Sequence, residues 1–380
     1  MKRGIALGIA ILGFIGSQHV AMADAISFNY LTLDPPGSTL TQAETMFGTN
    51  VVGFYMDGSG TQHGFLYNGT GYTTLDPPGS TSSAAFVVSG SNVVGFYTDG
   101  SSTQHAFLYN GSGYTTLDPP GSINSSASSV SGSNVVGHYG DASGIQHGFL
   151  YTGGYTTIDP PGSVPTGADP VFGMVGVNGI SGSNAVGYYF DGSTYHGFLY
   201  NGAGYTTLDP PGSALSFAAD ISGNNTVGAF DNGSGTLQGF LYNGSGYTIL
   251  NVPGSTSAMA NGVSGNNVFG AYTDTSGRTH AFLYDGTGYS PLDPPGSIFS
   301  FSSGGFTSPA FVSVVGWYQD SSGTTHGFLA TPIPEPSSLS LLAVATMGLI
   351  IRRSGRRKES GRCCATRSSQ IGDSQSRRPT

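Results

Sequence analysis

Short apolar segments alternate with turns along most of the chain, as the unit between residues 72 and 109 shows. Tyr72–Leu75 leads into an Asp-Pro-Pro-Gly turn, a weaker segment covers Ala84–Val88, and further segments follow at Asn92–Tyr97 and Gln104–Tyr109. β-Branched and aromatic residues between turn formers are typical of strands, whereas Pro-Pro cannot donate backbone hydrogen bonds and has to end one. We therefore predict four short strands in each unit.

The connection from one unit to the next is an Asn-Gly pair, as at Asn110-Gly111. Asn-Gly is a favoured hairpin turn because both residues tolerate positive φ, so we predict that Gln104–Tyr109 pairs with the strand that follows. The segment Val93–Tyr97 is apolar on both faces of a strand. This is the pattern of a sheet that is buried between neighbouring sheets.

Three sequence elements recur, each in seven places. A Leu-Asp-Pro-Pro-Gly-Ser element has its Asp at Asp34, Asp76, Asp118, Asp159, Asp209 and Asp293, with Asn251 in the remaining repeat, at spacings of 42, 42, 41, 50, 42 and 42 residues. A Val-Gly-x-Tyr element has its Gly at Gly53, Gly95, Gly137, Gly187, Gly228, Gly270 and Gly316. A His-Gly/Ala-Phe-Leu element begins at His63, His105, His147, His196, His280 and His326, with Gln238 in the remaining repeat. Four strands in about 42 residues match a β-propeller blade.

The two ends of the array complement each other. It opens with Phe28–Asp34, which matches the Tyr-Thr-Thr-Leu-Asp strand, and it closes at His326–Leu329 without that strand. Pairing the first strand with the last blade closes a ring and removes two exposed edges. An open β-solenoid, the alternative, would need distinct capping repeats, and none is visible. The prediction is an all-β, seven-bladed β-propeller over residues 24–333.

Composition and charge narrow the function. Aromatic residues make up 12% of the chain, which argues against disorder, and the scarcity of Lys and Glu argues against a helical protein. Between Asp24 and Ile333 the chain has 18 acidic residues and one basic residue, Arg278, a net charge of −17. Such a body cannot neutralise phosphates, so nucleic-acid binding is not expected. Cys363 and Cys364 lie outside it, so it has no disulfide and no Cys-based metal site.

The N-terminus has the features of a secretory signal peptide over residues 1–23. Lys2 and Arg3 precede an apolar run from Ile5 to Ile15, and Ala21-Met22-Ala23 is a small-x-small pattern that predicts cleavage between Ala23 and Asp24. An N-terminal membrane anchor is the alternative, for which the apolar run is short.

The C-terminus carries Pro334, Glu335 and Pro336, an apolar stretch Leu339–Ile351 predicted to be a hydrophobic helix, and a basic cluster that starts at Arg352 and Arg353. This order over residues 334–358 resembles the PEP-CTERM sorting signal of Gram-negative bacteria. The resemblance implies export, transient insertion in the inner membrane, cleavage near Pro-Glu-Pro by an exosortase, and release toward the cell surface or exopolysaccharide matrix. Residues 359–380 are predicted to be a basic disordered tail.

The repeats resemble the HAF family of extracellular repeats, most clearly at Gln104–Tyr109. This resemblance covers nearly all of residues 28–331. It implies secretion and β structure, and it carries no family-wide activity.

The repeated Asp and His residues are the first candidates for chemistry. A ring of carboxylates or of metal-ligating imidazoles is one interpretation; the other is structural, with the Asp as a turn former that accepts hydrogen bonds from nearby backbone amides and the His as a link between strands. Asn251 and Gln238 favour the structural role, because neither can titrate. We assign it to the set Asp76, Asp118, Asp159, His63, His105 and His147.

Neither a metal site nor a catalytic set emerges. Loops such as Asp57–Gly60 resemble calcium loops faintly, but calcium needs six to eight oxygens and each loop has one carboxylate, so Asx-type turns are expected and no cofactor is predicted. The residues that break the repeat show no nucleophile–base–orienter pattern; they are Glu44, His138, Arg278, Trp317 and an insertion within residues 164–180. Carboxylate pairs of the glycosidase type remain open, because many Asp residues can meet on one ring face.

The sequence therefore predicts an exported, monomeric, non-catalytic structural protein that interacts with exopolysaccharide or with cell-surface components. One alternative is a lectin-like propeller with a single defined pocket. A carbohydrate-active enzyme is another.

Overall fold

The repeats fold into seven antiparallel sheets of four strands each, which confirms the predicted seven-bladed β-propeller. This computed structural model describes residues 26–164 and 175–333, and the repeats belong to a compact unit that ends at Pro332. The signal peptide with its Ala23–Asp24 cleavage site, and the sorting residues Pro334, Glu335, Pro336, Arg352 and Arg353, lie outside the described residues. Within the described ranges there is no helix long and apolar enough to cross a membrane.

The strands divide among the blades in chain order. An N-terminal strand, β1 (Phe28–Leu33), precedes blade 1, which contains β2 (Leu40–Phe47), β3 (Asn50–Met56), β4 (Gln62–Tyr67) and β5 (Tyr72–Leu75). Blade 2 contains β6 (Ser80–Ser89), β7 (Asn92–Asp99), β8 (Gln104–Tyr109) and β9 (Tyr114–Thr116). Blade 3 contains β10 (Ser122–Ser131), β11 (Asn134–Asp141), β12 (Gln146–Tyr151) and β13 (Tyr155–Ile158). Blade 4 contains β14 (Val175–Ser181), β15 (Asn184–Phe190), β16 (Tyr195–Tyr200) and β17 (Tyr205–Leu208).

The remaining three blades follow the same plan. Blade 5 contains β18 (Leu215–Ser222), β19 (Asn225–Asp231), β20 (Leu237–Tyr242) and β21 (Tyr247–Leu250). Blade 6 contains β22 (Ser255–Ser264), β23 (Asn267–Asp274), β24 (Thr279–Tyr284) and β25 (Tyr289–Leu292). Blade 7 contains β26 (Ser297–Thr307), β27 (Val312–Asp320) and β28 (Thr325–Pro332), and its fourth strand is β1.

The first strand of each blade is the innermost one. Consecutive inner strands contact each other around the ring, and β26 contacts β2 to complete it. In blade 2 this strand is Ser80–Ser89, longer than the weak segment Ala84–Val88 predicted from sequence. Its signal is weak because small Ser and Ala residues fill the crowded space near the axis, where seven strands converge.

The ring closes as predicted, through the N-terminal strand. β1 pairs antiparallel with β28 from Phe28 opposite Pro332 to Leu33 opposite Gly327. Leu33 is fully buried in a cluster with Ala43, Val51 and residues of blade 7. The first and last strands are therefore joined by one sheet, and no blade lacks its outer strand.

The turn between the third and fourth strands differs from the predicted two-residue hairpin. Only Gly111 has positive φ, at 92°, while Asn110 does not. The Asn110 side-chain oxygen instead accepts hydrogen bonds from the amides of Ser112 and Gly113, at 3.0 Å each. Asn therefore serves in an Asx-type turn within a longer connection, and Gly supplies the left-handed residue.

Adjacent blades are also joined where the inner strand turns into the second strand. In blade 2 the Ser89 hydroxyl accepts a hydrogen bond from the Gly132 amide at 3.3 Å, and the Asn92 side chain donates to the Gly132 carbonyl at 2.6 Å. At the closing junction a ring contact replaces this pair, since Phe47 and Phe306 lie with centroids 5.1 Å apart.

Candidate functional site

Each repeated His lies between a turn Asp and the next blade. In blade 1, Nδ1 of His63 is 2.8 Å from Oδ2 of Asp76, and Oδ1 of Asp76 accepts a hydrogen bond from the Ser83 hydroxyl at 2.7 Å. Ser83 belongs to β6 of blade 2, and its hydroxyl accepts a hydrogen bond from the Gly64 amide of blade 1 at 2.7 Å. We call such a His, Asp and Ser set a blade clasp, because it joins the third strand of one blade to the inner strand of the next.

The His and Asp contact recurs at five further junctions, with Nδ1 and Oδ2 between 2.6 and 2.8 Å apart. The pairs are His105–Asp118, His147–Asp159, His196–Asp209, His280–Asp293 and His326–Asp34. The sequence suggested that the turn Asp accepts hydrogen bonds from nearby backbone amides. Its partners are instead side chains, as with His105 and Ser125 at Asp118. A carboxylate that is hydrogen-bonded to one nitrogen of an imidazole fixes the orientation of the ring. The arrangement therefore suits a structural link.

A second carboxylate lies at the other ring nitrogen. Nε2 of His105 is 3.5 Å from Oδ2 of Asp99, the last residue of the second strand. Burial lowers the pKa of His105, but hydrogen bonds and charge from Asp118 and Asp99 outweigh it, so the pKa is raised overall. Backbone and side-chain hydrogen bonds from Thr103 and Ser101 lower the pKa of Asp99 to about 2.

Two junctions have an incomplete clasp. At the junction of blades 3 and 4, Val175 stands where Ser83 stands in blade 2, and Oδ1 of Asp159 is buried without a hydrogen-bond partner in the described part of the chain. At the ring closure Thr41 replaces Ser, and neither its hydroxyl nor Oδ1 of Asp34 finds a partner among the described residues. The His–Asp contact is present at both junctions, so the Ser is the dispensable member of the clasp.

Blade 5 lacks the whole set at once. Gln238, Asn251 and Ala258 occupy the positions of His, Asp and Ser, and Phe230 occupies that of the Tyr whose ring packs on the His elsewhere. In blade 2 that ring pair is Tyr97 and His105, stacked at 5.1 Å. Replacement of all members together indicates that they act as one unit and that the fold tolerates one set that cannot ionise.

We expect the members of a clasp to be coupled energetically. Asp118→Asn should destabilise the protein by about 1–3 kcal/mol, because it leaves His105 and Ser125 with an impaired partner. The triple variant His105→Gln, Asp118→Asn, Ser125→Ala installs the blade 5 set and should cost less than the sum of the single changes. Denaturant unfolding of the wild type, the three single variants and the triple variant measures this, and strict additivity would contradict coupling.

The Asp-Gly-Ser loops form Asx-type turns. Oδ1 of Asp57 accepts hydrogen bonds from the Ser59 and Thr61 amides at 2.8 and 2.9 Å, and Asp320 binds Ser322 and Thr324 in the same way. Among the residues that the structure describes, no group of three His, Cys, Asp or Glu side chains could hold a metal ion.

A groove lies between the outer parts of blades 6 and 7, with a volume of about 380 Å³. It is lined by the rings of Phe28, Tyr30, Tyr318 and Phe328, by Pro294 and Pro295 of the turn, and by Asn29 and Thr32. The Tyr318 and Thr32 hydroxyls are 3.3 Å apart. Burial, followed by the charge of Asp293, raises the pKa of Tyr30 to about 12, so its phenol stays neutral. The groove therefore offers aromatic faces and hydroxyl groups without a charged side chain in its lining.

The repeat places equivalent residues at other junctions. Paired Tyr and Thr hydroxyls are 3.4, 3.0 and 3.2 Å apart in the pairs Tyr55–Thr74, Tyr97–Thr116 and Tyr139–Thr157, and Tyr189 and Thr207 occupy the same positions in blade 4. In blade 5 the pair is Phe230 and Ile249, and in blade 6 Pro291 replaces the Thr. Five of the seven blades thus retain the Tyr–Thr pair. Sequence reasoning missed it, although the Tyr is the last residue of the Val-Gly-x-Tyr element.

The repeat-breaking residues lie in different blades. Glu44 is in blade 1 and His138 in blade 3, where burial lowers the His138 pKa to about 4. Arg278 donates a hydrogen bond to the Ser297 carbonyl at 2.6 Å, and Trp317 stacks on Phe299 with centroids 4.9 Å apart. These residues belong to separate local structures rather than to one catalytic set.

Fold and groove together define a closed repeat propeller in which one aromatic groove lies beside blade 7 and the Tyr–Thr pair of that groove recurs in four other blades. The chain matches no model of a known protein family and no curated protein. Among solved structures, the β-propeller domain of the Trilobed protease from Pyrococcus furiosus, described as having an open velcro topology, is similar over 77% of this chain and 95% of its own, with 9% identity and a TM-score of 0.52. A lectin from Burkholderia pseudomallei matches 81% of this chain and 99% of its own, with 12% identity and a TM-score of 0.45. At these identities the similarity shows the fold alone.

Proposed function

We propose that the protein is an exported, multivalent, non-catalytic binding protein of the cell surface or exopolysaccharide matrix, and that it holds an uncharged polysaccharide in the grooves between its blades. The observation that carries the proposal is the Tyr–Thr hydroxyl pair beside an outer Tyr ring, repeated in five blades. Aromatic faces pack on the apolar faces of sugar rings, and neutral hydroxyls exchange hydrogen bonds with sugar hydroxyls.

The charge of the ring supports an uncharged polymer as the ligand. The turn Asp residues and the Asp-Gly-Ser loops lie at the same end of the blades, because both meet the His at the start of the third strand. The turn carries an Asp at every junction except the one with Asn251, blade 5 still has Asp231 in its loop, and the whole body has a single Arg. An anionic polymer would be repelled there, whereas a neutral one would not.

Weak sites become effective when several act on one chain. Each groove offers a small contact area, so single-site affinity is expected to be low, but one polymer that reaches neighbouring grooves gains by effective concentration. The sorting signal predicted over residues 334–358 would insert transiently in the inner membrane, be cleaved near Pro334-Glu335-Pro336 by an exosortase, and so release the protein toward the cell surface or matrix. The function and the address are thus mutually consistent.

The groove hydroxyls provide the test of this proposal. Changing Tyr55, Tyr97, Tyr139, Tyr189 and Tyr318 to Phe removes five hydroxyls and installs the residue that blade 5 already has at Phe230. We expect retention of the full-length chain on exopolysaccharide of the producing organism to fall at least about tenfold in co-sedimentation, since each lost hydrogen bond is worth about 0.5–1.5 kcal/mol. A calcium chelator should leave retention unchanged.

The matched control removes five hydroxyls from the opposite end of the blades. Tyr67, Tyr109, Tyr200, Tyr242 and Tyr284 donate hydrogen bonds to carbonyls in the turns between the third and fourth strands. Their replacement by Phe should leave retention within about twofold, as expected for surface changes outside the site. Equal loss in both variants, or no retention of the folded wild-type protein, would contradict the proposal.

A further inference from the structure

The end of the propeller opposite the turn Asp residues is nearly uncharged. It carries the hairpins between the first and second strands of the blades and the turns between the third and fourth strands. Among the described residues, Asp285 is the one charged side chain in these connections, whereas Asp residues recur in the turns and loops of the other end. We call the two surfaces the neutral end and the Asp-rich end. A negatively charged surface is repelled by the Asp-rich end but not by the neutral end.

The hairpins of the neutral end are polar in five blades and apolar in the two blades that meet at the ring closure. The residue before the turn is Phe47 in blade 1 and Phe306 in blade 7. The other five blades have Ser at this place, as Ser89, Ser131, Ser181, Ser222 and Ser264. The hairpin of blade 7 is also longer, since four residues separate Thr307 from its partner Val312, where two residues separate the corresponding pair of blade 2.

These two hairpins place aromatic side chains in solvent. Phe47 and Phe311 are 43% and 47% exposed, and the ring centroids of Phe47 and Phe306 lie 5.1 Å apart. Pro309 and Ala310, which precede Phe311 in the blade 7 hairpin, are exposed as well. We call Phe47, Phe306 and Phe311 the closure patch. Exposed apolar side chains that gather on one part of a surface mark a contact with another molecule or with a membrane.

The chain leaves the propeller at this same end. The last strand, β28, runs from the Asp-rich end, where His326 contacts Asp34, to the neutral end, where it finishes at Pro332. The apolar stretch Leu339–Ile351 begins seven residues after Pro332, and seven residues span at most about 25 Å. When that stretch enters a bilayer, as its sequence predicts, blade 7 is therefore tethered with its neutral end near the membrane surface.

We propose that the closure patch contacts the lipid bilayer that holds the C-terminal apolar stretch, with its Phe side chains in the membrane interface and the Asp-rich end directed away. The inference rests on the membrane insertion in the proposed function and adds the face of the propeller that meets the lipid. Half-exposed aromatic side chains gain free energy at the boundary of headgroups and acyl chains. The tether makes this weak contact effective, and an anionic leaflet disfavours the opposite orientation.

Tryptophan fluorescence of the full-length chain in vesicles tests this orientation. Trp317 is the single Trp, and blades 1 and 2 have Phe at its place, so Trp317→Phe provides a Trp-free background. In that background Phe311→Trp reports on the closure patch, and Ile123→Trp reports on the Asp-rich end at a site that is 52% exposed. In vesicles of phosphatidylcholine and phosphatidylglycerol with brominated acyl chains, we expect at least about twofold quenching of the first reporter and none of the second.

The possible outcomes separate this proposal from the proposed function. Equal quenching of the two reporters, or no quenching of Phe311→Trp in chains that pellet with the vesicles, would overturn the membrane contact. Failure of the chain to associate with vesicles would overturn both the insertion and the contact. Retention on exopolysaccharide is measured without vesicles, so its loss would contradict the polysaccharide-binding function and leave the result from the reporters standing.

A second substitution locates the contact at the closure patch. Phe47→Ser installs the residue of blades 2 to 6, and in the Phe311→Trp chain it should reduce the quenching at least about twofold. Ile298→Ser is the matched control, because Ile298 is exposed at the Asp-rich end, and it should leave the quenching unchanged. An equal effect of the two substitutions would refute the patch. Blue-shifted emission of the Phe311→Trp chain before vesicles are added would show that protein covers the patch, and it would overturn the proposal.

Discussion

Leu33→Ala is expected to lower the free energy of unfolding by about 2–5 kcal/mol, although it changes the first strand of the chain. Leu33 is fully buried and packs against Ala43, Val51 and Phe65 of blade 1 while its strand completes blade 7. The change therefore leaves a cavity at the point where the ring is closed, and it weakens the junction of the first and last blades together. Denaturant unfolding monitored by intrinsic fluorescence measures the loss.

The control for this prediction lies on the same strand. Leu31 is 45% exposed, so Leu31→Ala removes the same atoms without opening a cavity, and we expect a change within about 0.5 kcal/mol. If the two variants unfolded alike, the N-terminal strand would not be holding the ring. Deletion of residues 26–33 should go further and expose the edge of β28, which favours aggregation.

Gly95→Ala is expected to destabilise the protein by about 3 kcal/mol, the upper part of the range for overpacked cores. A Cβ at Gly95 would press on the carbonyl oxygen of Ala84 in the paired strand, closer than real Cβ contacts come. The carbonyl belongs to backbone beside the bulge between Ala85 and Val87, so it cannot turn aside as a side chain would. Thermal and denaturant unfolding should both show the loss.

Gly100→Ala separates this steric effect from glycine's flexibility. No atom lies within 4 Å of a Cβ built at Gly100, so the change should stay within about 0.5 kcal/mol. The same clash with the paired strand recurs at Gly53, Gly137, Gly187, Gly228, Gly270 and Gly316. A stable Gly95→Ala protein would contradict this account of why the Val-Gly-x-Tyr element requires its Gly.

The inner strand and the turns show where local sequence misleads. Ala84–Val88 looks weak because its small residues have low β propensity, yet the strand extends over Ser80–Ser89 since neighbouring inner strands and the axis demand small side chains. Asn110 was expected to take positive φ, but its side chain caps the turn instead. Local propensity could not distinguish an Asn with positive φ from an Asn whose side chain caps the turn, because the length of the loop decides which of the two occurs.

The candidate sites depend on residues that lie on different strands and, in part, on different blades. The sequence assigned structural roles to His105 and Asp118 separately, but it predicted neither their mutual contact nor the hydrogen bond from Ser125 of the next blade. Glu44 stood out because it breaks the repeat, and only the structure shows that it lies in a β-bulge of the inner strand of blade 1. Contacts of this kind leave no signal in a single repeat.

The number of blades and the closure of the ring could be determined from sequence alone. The repeat occurs seven times, and the chain begins with the one strand that the last repeat lacks. Each blade is encoded locally, with strands and turns close along the chain, so its pattern can be recognised by period and turn chemistry. The clasps and the aromatic groove were decided by the tertiary structure, because each requires side chains of different strands and of adjacent blades to meet. Ser83 lies 7 residues from Asp76 and 19 from Gly64, but these residues belong to different strands, and at the ring closure His326 and Asp34 are 292 residues apart.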